Sequence, residues 1–209
     1  MNYTDVMIDL ETVGTAPGSG IISIGAVAFA PGVAELDWPC YYSGPISRRS
    51  CRFIGLTDDQ ATLDWWNRQA PEARMVFNAA SDEQTVRAVH IINALMQFST
   101  WFRAQGANLE ANLEVWGNGS DFDNVLLQCA MKKADVDAPW PFYMNRCFRT
   151  MKTQFPVPEP TFKGVRHNAL QDALHQTRWL QRIWDNTRLL DQKVSLSDAT
   201  GCSTEPEHA

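Results

Sequence analysis

Asp9 and Glu11 stand two residues apart in Asp-Leu-Glu, Asp123 closes Asn-Gly-Ser-Asp-Phe-Asp, and His167 and Asp172 bracket His-Asn-Ala-Leu-Gln-Asp. Four carboxylates drawn together from distant parts of one chain repel each other. Bound cations make such a cluster tolerable. Two divalent ions held by carboxylates, with a histidine beside them, form a centre suited to hydrolysing phosphodiesters.

Each of these side chains needs an element to carry it. Residues 6–9 are apolar and end on the acid pair, which predicts a buried strand. Residues two apart on a strand share a face, so Asp9 and Glu11 point the same way. They fall at a strand–loop junction, before the Gly/Pro-rich stretch 12–20, where α/β proteins gather functional groups. A lone Asp-x-Glu is common, and two solvated charges at a strand end would look the same. Asp123 follows a strand and a Gly-rich turn and opens a helix. Either Asp121 or Asp123 could cap that helix or answer its dipole. Asp121 is the better cap, leaving Asp123, behind an anchoring Phe122, to face the site. His167 is expected on a loop and Asp172 in the first turn of the last helix. A loop histidine can swing, which suits a general base; taken alone, a surface histidine beside a helix start is the commoner case. Lys163 and Arg166 flank that loop, placed either to hold a phosphate or to be solvated.

The remaining elements follow from pattern. Residues 21–29 are apolar on both alternating sets, as in a strand covered on both faces. A third, antiparallel strand over 41–46 would complete a meander. Residues 57–77 read as one or two helices broken near Pro71. Ser81-Asp-Glu-Gln84 fits a capping box and predicts a long helix to about Arg103. A short strand is expected over 113–116, and helices over 122–133, 145–155 and 169–190. The segment 156–160 is a Pro-rich loop. Residues 191–209 are polar and aperiodic and are expected to form a mobile tail beyond a domain of residues 1–190. Strands first, then helices interleaved with strands, give an α/β domain with a central mixed β-sheet flanked by helices.

Composition bounds the function. The 209 residues are 44% hydrophobic and 20% charged, which is globular. No basic, apolar leader opens the chain, and no apolar run approaches the ~18 residues that span a membrane. Five scattered cysteines with no Cys-x-x-Cys pair argue for reduced thiols in a cytoplasmic protein and against a zinc site. The net charge of −6 argues against a long basic groove. Four of those charges belong to the proposed metal ligands, so short contacts near one end of a substrate, with a shallow salt dependence, are expected.

The Asp-Leu-Glu-Thr stretch, the Asn-containing turn ending in Phe-Asp, and His-x-x-x-x-Asp together resemble the DEDDh branch of the DEDD 3′→5′ exonucleases, which has a ribonuclease H-like fold. Asp-Leu-Glu-Thr-Val-Gly at 9–14, Ile-Ile-Ser-Ile-Gly-Ala-Val at 21–27, Trp65-Trp66 with Glu72-Ala-Arg74, Val115-Trp-Gly-Asn-Gly119 and Arg149-Thr150 are similar to a phage and bacterial subgroup, exonuclease VIII-like or 3′→5′ exoribonuclease-like. The likeness covers about residues 5–185. It implies that Asp9, Glu11, Asp123 and Asp172 are metal ligands for two ions and that His167 is the general base. An all-oxygen carboxylate site suits Mg²⁺ or Mn²⁺. It implies release of nucleoside 5′-monophosphates from the 3′ end of a single strand, either RNA or DNA. The water would be activated beside Asp9 and Asp172, and the leaving 3′-oxygen stabilised near Asp9, Glu11 and Asp123. The loop of Thr12, Val13 and Gly14, and Asn118 in the second motif, would meet the substrate. The family often has Thr or Ser-Gly where Val13-Gly14 stands, which leaves sugar preference open.

Eight tryptophans is a high count for this length. Trp65 and Trp66 are adjacent on a predicted helix, so one should be core and the other exposed. The exposed ring could stack on a terminal base, worth ~1–3 kcal/mol, or form a homodimer contact. A non-catalytic binding module of the same fold is disfavoured, because all five residues are present. An enzyme acting on dinucleotides or very short oligonucleotides stays open, and the acidic charge leans toward it.

Overall fold

The computed structural model describes residues 3–81, 88–106 and 113–200. Five strands form one mixed sheet: β1 (Asp5–Thr12), β2 (Ile21–Phe29), β3 (Cys40–Ser43), β4 (Glu114–Gly117) and β5 (Asn145–Cys147). Their order across the sheet is β3-β2-β1-β4-β5. β1–β2 and β2–β3 pair antiparallel, as the predicted meander requires, while β1–β4 and β4–β5 pair parallel. The C-terminal ends of β1, β4 and β5 therefore share one edge, and the candidate residues gather there.

Among the described residues seven α-helices surround the sheet: α1 (Arg48–Phe53), α2 (Gln60–Asn67), α3 (Pro71–Ser81), α4 (Ile91–Gln105), α5 (Asp123–Lys133), α6 (Phe148–Gln154) and α7 (Ala169–Thr200). Val6, Ile8 and Leu10 of β1 pack with Ile24, Ala26 and Ala28 against Leu95, Phe98 and Phe102 of α4 and Leu126 and Leu127 of α5. On the other face Met7, Val27 and Phe29 pack under Ala173, Leu180 and Ile183 of α7. Every residue of β2 is buried, so covering on both faces holds. No helix among the described residues is long and apolar enough to cross a membrane. Cys40, Cys51, Cys129 and Cys147 are free thiols.

Several boundaries differ from the sequence reading. The third strand stops at Ser43, before Gly44 and Pro45, which has no N–H for the ladder; beyond them Ile46 donates to the Ile22 carbonyl at 2.8 Å. The short α1 that follows was not foreseen; Ser47 caps it by accepting from Ser50 N–H. The long helix begins at Ile91, not after Ser81. Val89 is extended, exchanging backbone bonds with Pro45 and Ser47, and His90 is the cap. Ser81 instead ends α3, and the rest of the suspected capping box lies outside the described residues. The segment 145–155 is a strand followed by a helix, because Asn145 to Cys147 pair with β4. α7 runs to Thr200, and residues 201–209 lie outside the described residues.

Candidate metal centre

Asp9 and Glu11 lie on the face of β1 that α7 covers. A register shift between Glu11 and Thr12 breaks the regular ladder to β2, and Thr12 pairs with Ile21 beyond it. The chain then turns: Val13 donates to Gly20, and its own carbonyl accepts from Asp59, the cap of α2. Asp123 opens α5 and is almost fully buried. One of its oxygens accepts from Leu10 N–H at 3.1 Å and the other from Asn118 N–H at 3.0 Å. Asp123 thus clasps β1 to the turn after β4. Gly117 leaves room for it, since a Cβ there would stand 3.0 Å from Asp123 Cβ and 2.4 Å from Asn124 Oδ1. The expected cap, Asp121, makes no capping bond. Phe122 holds the cap position without a side-chain bond, and Asp121 stays exposed.

Asp172 reaches the site because α7 lands directly on β2. A Cβ on Gly25 would sit 2.2–2.3 Å from backbone atoms of Ala169 and Leu170, so only glycine permits this approach. Gly25 is the cross-strand partner of Asp9. Asn168 caps α7, its Oδ1 accepting from Gln171 N–H. The Asp172 carboxylate lies close enough to the His167 backbone for it to favour the ionised form. His167 has a φ of 62°, in the left-handed region, which turns the loop sharply into the helix. Side-chain ligand atoms of Glu11, His167 and Asp172 all lie within 4.8 Å of one another. Gln176, one turn beyond Asp172, donates to Asp9 Oδ1 at 2.7 Å. Sequence reading missed this residue; its i+4 spacing from Asp172 on a helix was the available signal.

The electrostatics match a site built for cations. Burial raises the pKa of Asp9 well above the carboxylate range, and the charges of Asp123, Glu11 and Asp172 raise it further. Glu11 is raised in the same way, by burial and then by Asp172 and Asp123. Burial pushes Asp123 up to about 7 against the pull of its backbone hydrogen bonds. Asp172 is raised by burial, offset in part by hydrogen bonding to His167. Oxygen donors that repel each other in a partly dry site fit hard divalent cations. The residues present therefore suit the metal that the sequence implies.

Beside Glu11 opens a cavity of about 500 Å³, lined by Leu10, Thr12, Thr62, Trp65, Arg68 and Phe122 among others. The two tryptophans divide as expected. Trp66 is buried, donates to the Thr12 carbonyl at 2.8 Å and stacks on Phe77. Trp65 is half-buried, lines the cavity, and meets the His167 ring edge-on at 5.0 Å between centroids. Of the loop expected to meet substrate, Thr12 lines the cavity, whereas Val13 is fully buried and Gly14 packs against Ser19. Asn118 serves through its backbone, holding Asp123. Arg166 lies over the Phe162 ring, 3.8 Å from Glu159, and its charge is felt at Asp172. Lys163 is exposed, and its charge acts on Glu35.

This sheet order, with acids gathered where β1, β4 and α7 converge, is that of a ribonuclease H-like fold. Residues 4–184 match the family described as 3'-5' exoribonuclease Rv2179c-like domain, and the chain belongs to that family. It is a 3′→5′ exonuclease, a hydrolase of phosphodiester bonds. It is 24% identical to an exodeoxyribonuclease of Enterobacteria phage T4, over 81% of this chain and 84% of that protein. Its fold matches the nuclease domain of 3'hExo, a DEDDh family member solved bound to rAMP, with a TM-score of 0.55 and 14% identity over 88% of this chain and 93% of the other.

Proposed function

We propose that this chain removes nucleoside 5′-monophosphates one at a time from the 3′ end of single-stranded nucleic acid, using two Mg²⁺ or Mn²⁺ ions. The observation that carries this is the convergence of Asp9, Glu11, Asp123 and Asp172, mutually repelling, with His167 against Glu11 and Asp172. Asp9, Glu11, Asp123 and Asp172 would hold the ions. Bound there, they would acidify the attacking water and neutralise charge on the leaving 3′-oxygen. His167 accepts the water's proton at a ring nitrogen. Asp172 and Glu11 stand within 4.8 Å of a ring nitrogen of this histidine. Gln176 orients Asp9 by occupying one of its oxygens. The cavity beside Glu11 takes the terminal nucleoside, with Trp65 as the face for its base.

A second reading, action on dinucleotides or very short oligonucleotides, is favoured by the size of that one cavity and by the net charge of −6. One experiment separates these. Labelled RNA and DNA strands of matched sequence, and a dinucleotide, are incubated with Mg²⁺, with Mn²⁺ and with chelator. Stepwise release of 5′-monophosphates from a long strand supports the first reading, and release from the dinucleotide alone supports the second. No metal-dependent product from any substrate would sink both. The RNA-to-DNA ratio assigns the sugar.

A further inference from the structure

Arg149 and Lys152 lie one turn apart on α6 and take no part in the roles above. α6 follows β5, on the flank of the sheet edge away from the wall formed by the β1–β2 loop and α2. Arg149 Nη2 donates to the Asn118 carbonyl at 2.6 Å. Asn118 is the residue whose N–H holds Asp123, and the Arg149 charge helps to keep Asp123 ionised. Lys152 Nζ rests over the rings of Phe148 and Trp179, at 5.3 and 5.4 Å from their centroids. Burial lowers the pKa of Lys152, and the neighbouring Arg149 charge lowers it further.

Among the described residues neither cation forms an ion pair. Glu159, the acid whose charge reaches Lys152, is engaged with His175 at 2.9 Å and Arg166 at 3.8 Å. Two like charges on firm supports, unpaired and at the rim of a phosphodiester-cutting site, make a seat for a phosphate. The cations expected from sequence are placed otherwise: Arg166 against Phe162 and Glu159, Lys163 toward Glu35.

We propose that Arg149 and Lys152 hold the backbone phosphate on the 5′ side of the nucleotide being removed. The inference rests on the exonuclease reading of the carboxylate site. With the terminal nucleoside in the cavity beside Trp65, the strand leading from it departs across the β4–β5 flank, where this pair stands. The contact reads charge and not sugar, so it serves RNA and DNA alike.

Arg149→Gln keeps a donor for the Asn118 carbonyl, and Lys152→Gln keeps much of the aliphatic stem. Both therefore separate lost charge from lost packing. The test measures KM for mononucleotide release from a labelled single strand over a KCl series, for wild type, each variant and the double. Each lost contact is expected to raise KM about 3–10-fold at low salt and to flatten the slope of log KM against log salt by about 0.7. Arg149→Lys should recover part of both. A purely structural role would lower kcat and leave the salt slope at its wild-type value. That outcome, or an unchanged KM in the double variant, overturns the inference while the exonuclease reading stands. If wild type releases no mononucleotide, the exonuclease reading fails, and the same salt series read by fluorescence anisotropy decides the phosphate seat on binding alone.

Discussion

Asp9 and Asp123 are both candidate ligands, yet their oxygens are differently engaged. Asp123 accepts two backbone N–H groups from separate segments, so it is structural as well as chemical. Asp9 has one side-chain partner, Gln176, and is opposed by three like charges. Asp9→Ala should therefore abolish cleavage and leave the fold intact; near-normal activity would mean the site is misplaced. Asp123→Asn should cost stability as well, because its amide presents N–H to a backbone donor. A loss of about 1–3 kcal/mol is expected, read from the urea midpoint. His167 sits at a φ that asparagine tolerates, so His167→Asn removes the base without straining the turn. A kcat lower by roughly 10²–10⁴, with unchanged circular dichroism, is the expected result. The five candidates were singled out in the sequence by type and spacing, and the fold brings them to one place. Gln176 was not singled out: its i+4 spacing puts it on the face of Asp172, but spacing alone does not say what that face meets.

At the scale of elements, the contact between α7 and β2 makes the site. Gly25 lies opposite Asp9 and leaves no space for a methyl group under the start of α7. Gly25→Ala must push that helix end outward, carrying Asp172 and His167 away from Glu11. A fall in stability of about 1–3 kcal/mol is expected, together with a kcat loss far larger than any change in KM. Denaturant titration beside steady-state kinetics checks both; full activity would show that α7 need not touch β2. β1, β2, α5 and the start of α7 were readable because each carries its own apolar period. β5 and α1 were not. A three-residue strand has no period to detect, and its existence depends on pairing with β4. The start of α4 was misread because Val89 is drawn into backbone bonds with Pro45 and Ser47, contacts far away in sequence.

For the whole molecule, the acidic centre links stability to pH and to metal. Asp9, Glu11 and Asp123 all titrate above their ordinary range in the folded chain. Between that ordinary range and the raised one, the folded metal-free chain keeps protons that the unfolded chain has released. Stability therefore falls as pH rises through the window, which for Asp123 closes near about 7. The melting temperature of chelator-treated protein should drop across it, by roughly 2–4 °C for each kcal/mol lost. Mg²⁺ or Mn²⁺ should restore it, more strongly at the upper end, because protons and cations compete for the same oxygens. A melting temperature that climbs with pH in chelator, or ignores both ions, would count against the metal centre.

The sequence by itself singled out five side chains as candidates for the chemistry, and determined that Asp9 and Glu11 share a strand face. Residue type and short-range periodicity are local properties. Only the tertiary structure decided that Trp66 is core while Trp65 lines the cavity, that the Lys163 charge acts on Glu35, and that Gln176 reaches Asp9 across 167 residues of chain. Those outcomes depend on how closely two surfaces approach. Here the approach of α7 to β2 is set by the missing side chain of Gly25, whose consequence appears only when the helix is laid against it.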